Sequence, residues 1–191
     1  MALKLFADLG YKAVTMRNLA EKVNINQATF YHYFKSKEQL YEAVLHEAYE
    51  ERAGQIIDIV KSDQSKEERL WRVCLEFSNS FNTDLAFVKL VKREQIQGDK
   101  KRMQLMWDQL FADLVDALKE LLAEFDSGLD VDLIHHFLNG MMLHYYETVA
   151  FRQLYEGKKA RLPPKVVAEQ AYRIMLAALH GQNSITEIPL E

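Results

Sequence analysis

The sequence predicts an all-α protein of about nine helices, an N-terminal three-helix head with a helix-turn-helix followed by a C-terminal helical bundle. Three observations predict it. Cap residues and Gly or Pro stops divide the 191-residue chain into helix-length segments from one end to the other. Apolar residues recur at helical spacing inside those segments. The one strand-like stretch, GYKAV at residues 10–14, is too short and has no partner with which to build a sheet.

Taken in order, Gly10 ends the first helix, Thr15 caps the second and Asn26 the third. Asn24 falls at the turn between the last two, and Asn is the non-glycine residue that best tolerates left-handed backbone. Leu19, Ala20, Val23, Ile25, Phe30 and Tyr33 are expected to share one small core, leaving Gln27, Ala28, Thr29, Tyr31 and His32 outward. A helix presented this way fits the major groove of DNA. Ser36 with Gln39 makes a capping box for a long fourth helix reaching about Lys61. Ser65 with Glu68 opens a fifth, striped by Leu70, Val73, Cys74, Phe77 and Phe81. Thr83 is read as the cap of a sixth that ends near Gly98. A seventh continues to about Phe125 along Met103, Trp107, Leu110, Leu114, Leu118 and Leu121. The eighth runs from about Asp130 to Glu156 and stops at Gly157; Pro163-Pro164 starts the ninth, which ends near Gly181. The expected division is a DNA-binding head at 1–45, an effector-binding and dimerisation bundle at 46–182, and a flexible tail at 183–191.

Charge is distributed unevenly along this chain. The whole carries −4, but residues 1–40 hold six cations (Lys4, Lys12, Arg17, Lys22, Lys35, Lys37) against three acids (Asp8, Glu21, Glu38), a net +3 that leaves −7 for the rest. A basic head on an acidic body binds phosphate locally without adhering everywhere. The single cysteine, Cys74, excludes an intrachain disulfide, fits a reducing cytoplasm, and is read as a small buried apolar residue. Asp8 and Gly10 interrupt the apolar start, so no signal peptide is expected. The longest uncharged run, Leu133 to Tyr146, has 14 residues and three histidines, too short and too polar to span a membrane. The expected location is the cytoplasm.

From about Leu5 to Leu45 the pattern LF..LGY.A.T...LA, then V.I..AT.YHYF.SKE.L, resembles the N-terminal DNA-binding domain of the TetR family of transcriptional regulators. The run Thr29 to Glu38, TFYHYFKSKE, matches that family's signature in register. Asn24 and Ala28 stand where the family usually has glycine, and the first helix is shorter than the family's. The resemblance implies double-stranded DNA as a partner. Thr15 and Arg17 would face phosphate; Gln27, Ala28 and Thr29 would meet base edges; Tyr31 and His32 would meet backbone or adjacent bases; the cap Asn26 is counted among the DNA-binding residues. Lys37 matches the family's phosphate-binding lysine.

The same resemblance makes the C-terminal body a ligand-binding domain whose small-molecule effector changes DNA affinity. Its expected lining is Trp71, Phe77, Phe81, Trp107, Phe111, Met141, His144 and Tyr145, although apolar stripes at helical spacing are more often simple core. A homodimer seam is expected from Leu133, Phe137, Gly140, Met141, His144 and Thr148 on the eighth helix, with Val167, Ala171, Ile174, Met175 and Ala178 on the ninth, although from the sequence alone the same faces could equally be internal core. A metal site is not expected. His135 and His144 fall about 180° apart on a helix, and His136 and His144 about 80° apart. The expectation is a dimeric regulator, a repressor released from an inverted-repeat operator by a largely apolar effector, without cofactor or enzymatic activity. Alternatives are a helical adaptor or a metal-dependent helical enzyme using His136, His144 and Glu147.

Overall fold

The structure is a computed structural model describing residues 1–181, except Asp84, Gly98 and the side chains of Glu51, Lys158 and Lys159. The expected tail at 183–191 and the stop at Gly98 lie outside the described residues. Every regular element among them is helical. The chain forms two compact units, one of Met1–Gly54 with Asp84–Ala112, the other of Gln55–Thr83 with the chain from Asp113 on.

In the first unit, α1 (Ala2–Leu9) stops at Gly10, which is buried with φ of 83°. Its positive φ favours glycine, and a Cβ there would stand 3.0 Å from the Arg93 guanidinium of α6 (Leu85–Gln97), whose side chain would have to shift. Thr15 caps α2 (Met16–Lys22) by accepting from the Asn18 N–H, and Asn26 caps α3 (Gln27–Tyr33) by accepting from the Ala28 N–H. Between them Asn24 has φ of 56°, while the Ile25 N–H reaches the Ala20 carbonyl and the Asn24 N–H that of Glu21. This pair of bonds is a Schellman motif, and Asn24 serves there in place of the usual glycine.

α4 (Lys37–Val60) opens with Ser36 Oγ accepting from the Gln39 N–H, while Gln39 Oε1 accepts from the Lys35 N–H. Its stripe Leu40, Tyr41, Leu45, Tyr49 and Ala53 is buried. α6 packs on α1, and α7 (Lys100–Met106) starts at Asp99, whose side chain accepts from the Arg102 N–H.

Three expectations are corrected here. Tyr33 is 68% exposed and Ile25 44% exposed, so neither belongs to the small core that holds Leu19, Ala20 and Phe30. The reason is register: α3 ends at Tyr33, and the half-buried Phe34, one turn after Phe30, takes the inward place with ring centroids 5.7 Å apart. Thr83 closes α5 (Lys66–Thr83) rather than opening a helix, its hydroxyl donating back to the Asn79 and Ser80 carbonyls. The predicted seventh helix is interrupted by a π-helical turn, Trp107–Phe111, after which α8 (Ala112–Ala123) continues. The inserted geometry breaks the stripe, so Trp107 is exposed while Leu110, Leu114, Leu118 and Leu121 stay buried.

The second unit contains the end of α4, α5, α8, α9 (Val131–Glu147), α10 (Val149–Glu156), a 3-10 turn at Gly157–Ala160 and α11 (Pro164–His180). Ser65 caps α5 through the Glu68 N–H, and Asp130 caps α9 through that of Leu133. The predicted eighth helix is two: Thr148 breaks it, its hydroxyl donating to the His144 carbonyl at 2.7 Å. α5, α9 and α11 pack together around Leu70, Val73, Cys74, Leu138, Met142, Ala171 and Met175. Burial raises the Cys74 thiol to about 12, leaving it an inert apolar residue. Ser78 donates to the Pro164 carbonyl, so the Tyr146 hydroxyl donates to Ser78, tying the start of α11 to α5 and α9.

Of the expected seam, Val167, Ala171 and Met175 are interior, whereas Leu133, Phe137, Gly140, His144, Ile174 and Ala178 are wholly or partly exposed. The ninth-helix stripe thus divides: one side fills the core of its own chain, and the neighbouring positions face out.

Buried His135 on α9 has no hydrogen-bond partner at Nδ1 among the described residues. Burial first, then His136 and Lys119, push its imidazole below the usual 6.5, with Asp132 opposing. Below about pH 6.5 the unfolded chain takes up a proton that the fold resists, so this group's stability contribution is full at neutral pH and is lost as pH falls. Thermal unfolding at pH 7 and pH 5.5 should show a smaller acid shift for His135→Leu than for wild type; equal shifts would acquit His135.

Candidate DNA-binding face and effector-binding residues

The caps at Thr15 and Asn26 and the turn at Asn24 fix α3 as the outward helix of the head. Gln27, Ala28, Thr29, Tyr31 and His32 are all exposed on it, and Tyr33 joins them. Sequence reasoning placed Tyr33 inside. Only the helix end at that residue could have revealed its exposure, since its ring meets His32 edge-on at 5.6 Å instead of packing below.

The expected phosphate-facing groups differ in how free they are. Arg17 pairs with Glu21 at 2.8 Å on an exposed surface, a weak bond that a phosphate can displace. Thr15 is engaged with Asn18 through both its donor and its acceptor. Asn26 uses its side-chain oxygen on the cap.

Lys37 is half-buried, and its ammonium donates to the Tyr11 carbonyl at 2.8 Å and the Val14 carbonyl at 2.9 Å. It also lies 4.4 Å from the Tyr11 ring centre. Burial and nearby Arg102 hold its pKa below the ordinary lysine value. Two of its three donors therefore fasten the α1–α2 loop to α4, leaving one for a ligand.

The eight expected effector residues are divided. Trp107 and Phe111 belong to the first unit and the other six to the second. In the first, Phe111 meets Tyr49 at 4.9 Å and Phe87 at 6.4 Å, and Tyr49 meets Phe87 at 5.5 Å. Tyr49 is 7% exposed, and its hydroxyl finds no hydrogen-bond partner among the described residues. The sequence signal for Tyr49 was its place on the α4 stripe, which reads as core.

In the second unit Phe77 and Phe81 stack at 5.7 Å, Phe81 lies 6.3 Å from Tyr146, and Trp71 meets Tyr172 edge-on. Tyr145 is committed: its hydroxyl donates to the Ala160 carbonyl and accepts from the Leu162 N–H, with the Arg152 guanidinium over its ring. On α9, Met141 is partly exposed and His144 is exposed. A shallow basic groove lies elsewhere, along Lys89, Lys92, Arg93, Ile96 and Gln97.

Residues 1–44 match the family model described as bacterial regulatory proteins, tetR family. The HTH-type transcriptional repressor KstR2 of Mycolicibacterium smegmatis is 30% identical over 151 residues, which cover 72% of this chain and 70% of that one. The chain belongs to the TetR family. KstR2 of Mycobacterium tuberculosis is 27% identical over the same length, 151 residues. The solved structure of that protein, described as a ketosteroid transcriptional regulator, aligns with a TM-score of 0.70 over 92% of this chain and 89% of its own at 23% identity. FadR of Bacillus subtilis, solved with stearoyl-CoA, aligns with a TM-score of 0.72 over 93% and 95% at 17% identity. At such identities these two show the shared fold.

As a TetR-family member, this chain is a DNA-binding transcriptional regulator, not an enzyme. The enzymatic alternative built on His136, His144 and Glu147 falls with that, and His136 Nδ1 is already bonded to the Asp132 carbonyl. Among the described residues, no three His, Cys, Asp or Glu side chains are grouped to hold a metal, and no helix is long and apolar enough to cross a membrane.

Proposed function

We propose that the regulator is a cytoplasmic homodimeric repressor, that residues 1–45 dock on an inverted-repeat operator, and that an apolar acyl thioester in the bundle releases it. The observation that carries DNA docking is α3 itself, a capped helix with every polar and aromatic face residue exposed. Gln27 can bridge N6 and N7 of adenine, and the methyls of Ala28 and Thr29 can touch thymine. Arg17, Tyr31, His32 and Lys37 supply the backbone contacts.

A two-fold dimer is supported by the exposed apolar residues of α9 and α11, since a +3 head alone binds weakly. The effector class is supported by the names of similar proteins, a ketosteroid regulator and a regulator holding stearoyl-CoA. Two clusters in this chain suit such a ligand. Phe77 and Phe81 offer apolar wall, and Tyr49 beside Phe87 and Phe111 offers a buried hydroxyl able to donate to a carbonyl.

Titrating stearoyl-CoA against the protein, free and on its operator, tests the reading. Coupling of about 1–3 kcal/mol makes the ligand weaken DNA binding roughly 5–150-fold, and DNA must weaken ligand binding by the same factor. Equal ligand affinities with and without DNA would show that the two sites are uncoupled.

A further inference from the structure

Glu94 on α6 is completely buried, and both carboxylate oxygens are engaged: Oε1 accepts from the Tyr41 hydroxyl at 3.0 Å and Oε2 from Arg102 Nε at 2.8 Å. Arg102, on α7, also pairs with Asp99 at 3.0 Å, and its guanidinium lies 4.6 Å from the Tyr11 ring centre. The Lys37 ammonium approaches the same ring, and the Tyr11 carbonyl accepts one of its hydrogen bonds. A continuous series of contacts therefore runs from a fully buried carboxylate, through Arg102 and Tyr11, to the first residue of α4.

An apolar pair would fill this space with as much or more stability, because removing two charges from water is costly. What a charged pair adds is direction. Tyr41 and Arg102 are each fixed by a bond to one oxygen, and the planar guanidinium can then hold one face of Tyr11. Tyr11 edges Tyr41 at 5.0 Å, which closes the circuit. Loss of this circuit would leave Tyr11 free to shift, and with it the carbonyl that holds Lys37.

We propose that Glu94 and Arg102 are positioning residues for DNA docking: buried away from the DNA-facing helix, they set Lys37 and the start of α4 through Tyr11. The proposal rests on the reading of Lys37 as a phosphate contact.

The double variant Glu94→Gln/Arg102→Met tests it. It leaves net charge unchanged, so long-range attraction to DNA is the same, and the amide oxygen that replaces the carboxylate still accepts from Tyr41. Three quantities are measured in wild type and variant: the thermal unfolding midpoint, the rate at which an amine-reactive reagent labels Lys37 relative to exposed Lys35, and affinity for the duplex that wild type enriches from random DNA. The expected result is a midpoint close to wild type, labelling of Lys37 about tenfold faster, and DNA affinity about tenfold weaker. A folded variant with Lys37 labelled at the wild-type rate, or with undiminished DNA affinity, overturns the proposal.

Should the double variant not fold, Arg102→Lys keeps a cation beside Glu94 but loses the planar group over Tyr11. Faster Lys37 labelling then supports the proposal and an unchanged rate overturns it. If wild type enriches no duplex, the DNA reading fails, and the labelling arm alone decides whether Glu94 and Arg102 position Lys37.

Discussion

Phe137→Glu should turn the regulator into a monomer and weaken operator binding by at least about a hundredfold. Phe137 is 60% exposed in the middle of α9, flanked one turn away by Leu133 at 55% and by Gly140, where an added Cβ would meet nothing within 4 Å. Ile174, 58% exposed, adds apolar surface on α11. Burying one Phe contributes roughly 1.5–3 kcal/mol, and a two-fold interface counts it twice. A carboxylate in its place loses that and faces its own symmetry mate or apolar surface, which adds desolvation. Once the heads separate, the second half-site contact is no longer intramolecular, and an avidity of about 10²–10⁴ disappears. Sedimentation and operator titration of the variant check both parts. A variant that stays dimeric and binds DNA normally would place the seam elsewhere.

The second large effect is expected at Lys37, where stability and binding should fall together. Lys37→Met leaves the Tyr11 and Val14 carbonyls without their donor, a loss of roughly 1–3 kcal/mol in a partly buried setting. It should also weaken binding to all DNA sequences alike and lower the salt slope by about one, as loss of the proposed phosphate contact requires. Gln27→Ala is the contrast. Gln27 is exposed, so the unfolding free energy should move by no more than about 0.5 kcal/mol, while preference relaxes at one base per half-site by roughly 1–3 kcal/mol. Denaturant melts with salt-dependent titrations separate the two. A Lys37→Met protein of normal stability, or one with an unchanged salt slope, would remove one of its two roles.

Much of the head was legible because its signals are local. The oxygens of Thr15, Asn26 and Ser36 accept from N–H groups two or three residues on, and Asn24 takes its left-handed turn through its own backbone. What escaped sequence reading depends on distant partners. Nothing in Met103 to Leu114 marks a π turn, since the apolar spacing there suits an unbroken helix. Glu94 sits in a charged stretch, KREQ, that reads as solvated; its burial depends on Tyr41, 53 residues earlier, and Arg102. The aromatics of the bundle were visible as a set, but no periodicity says that Tyr145 is committed to the Ala160–Leu162 backbone or that Tyr49 buries its hydroxyl.

In the proposed function an exposed, capped α3 reads DNA as one of a symmetric pair. Incubating the protein with a pool of random duplexes, and sequencing those retained at physiological salt, tests this most directly. The expected result is enrichment of an inverted repeat whose half-site centres lie about 34 Å apart, or a multiple of that, with one adenine per half-site whose selection disappears in Gln27→Ala. A retained pool with no enriched sequence, or a single half-site without its inverted copy, would contradict it.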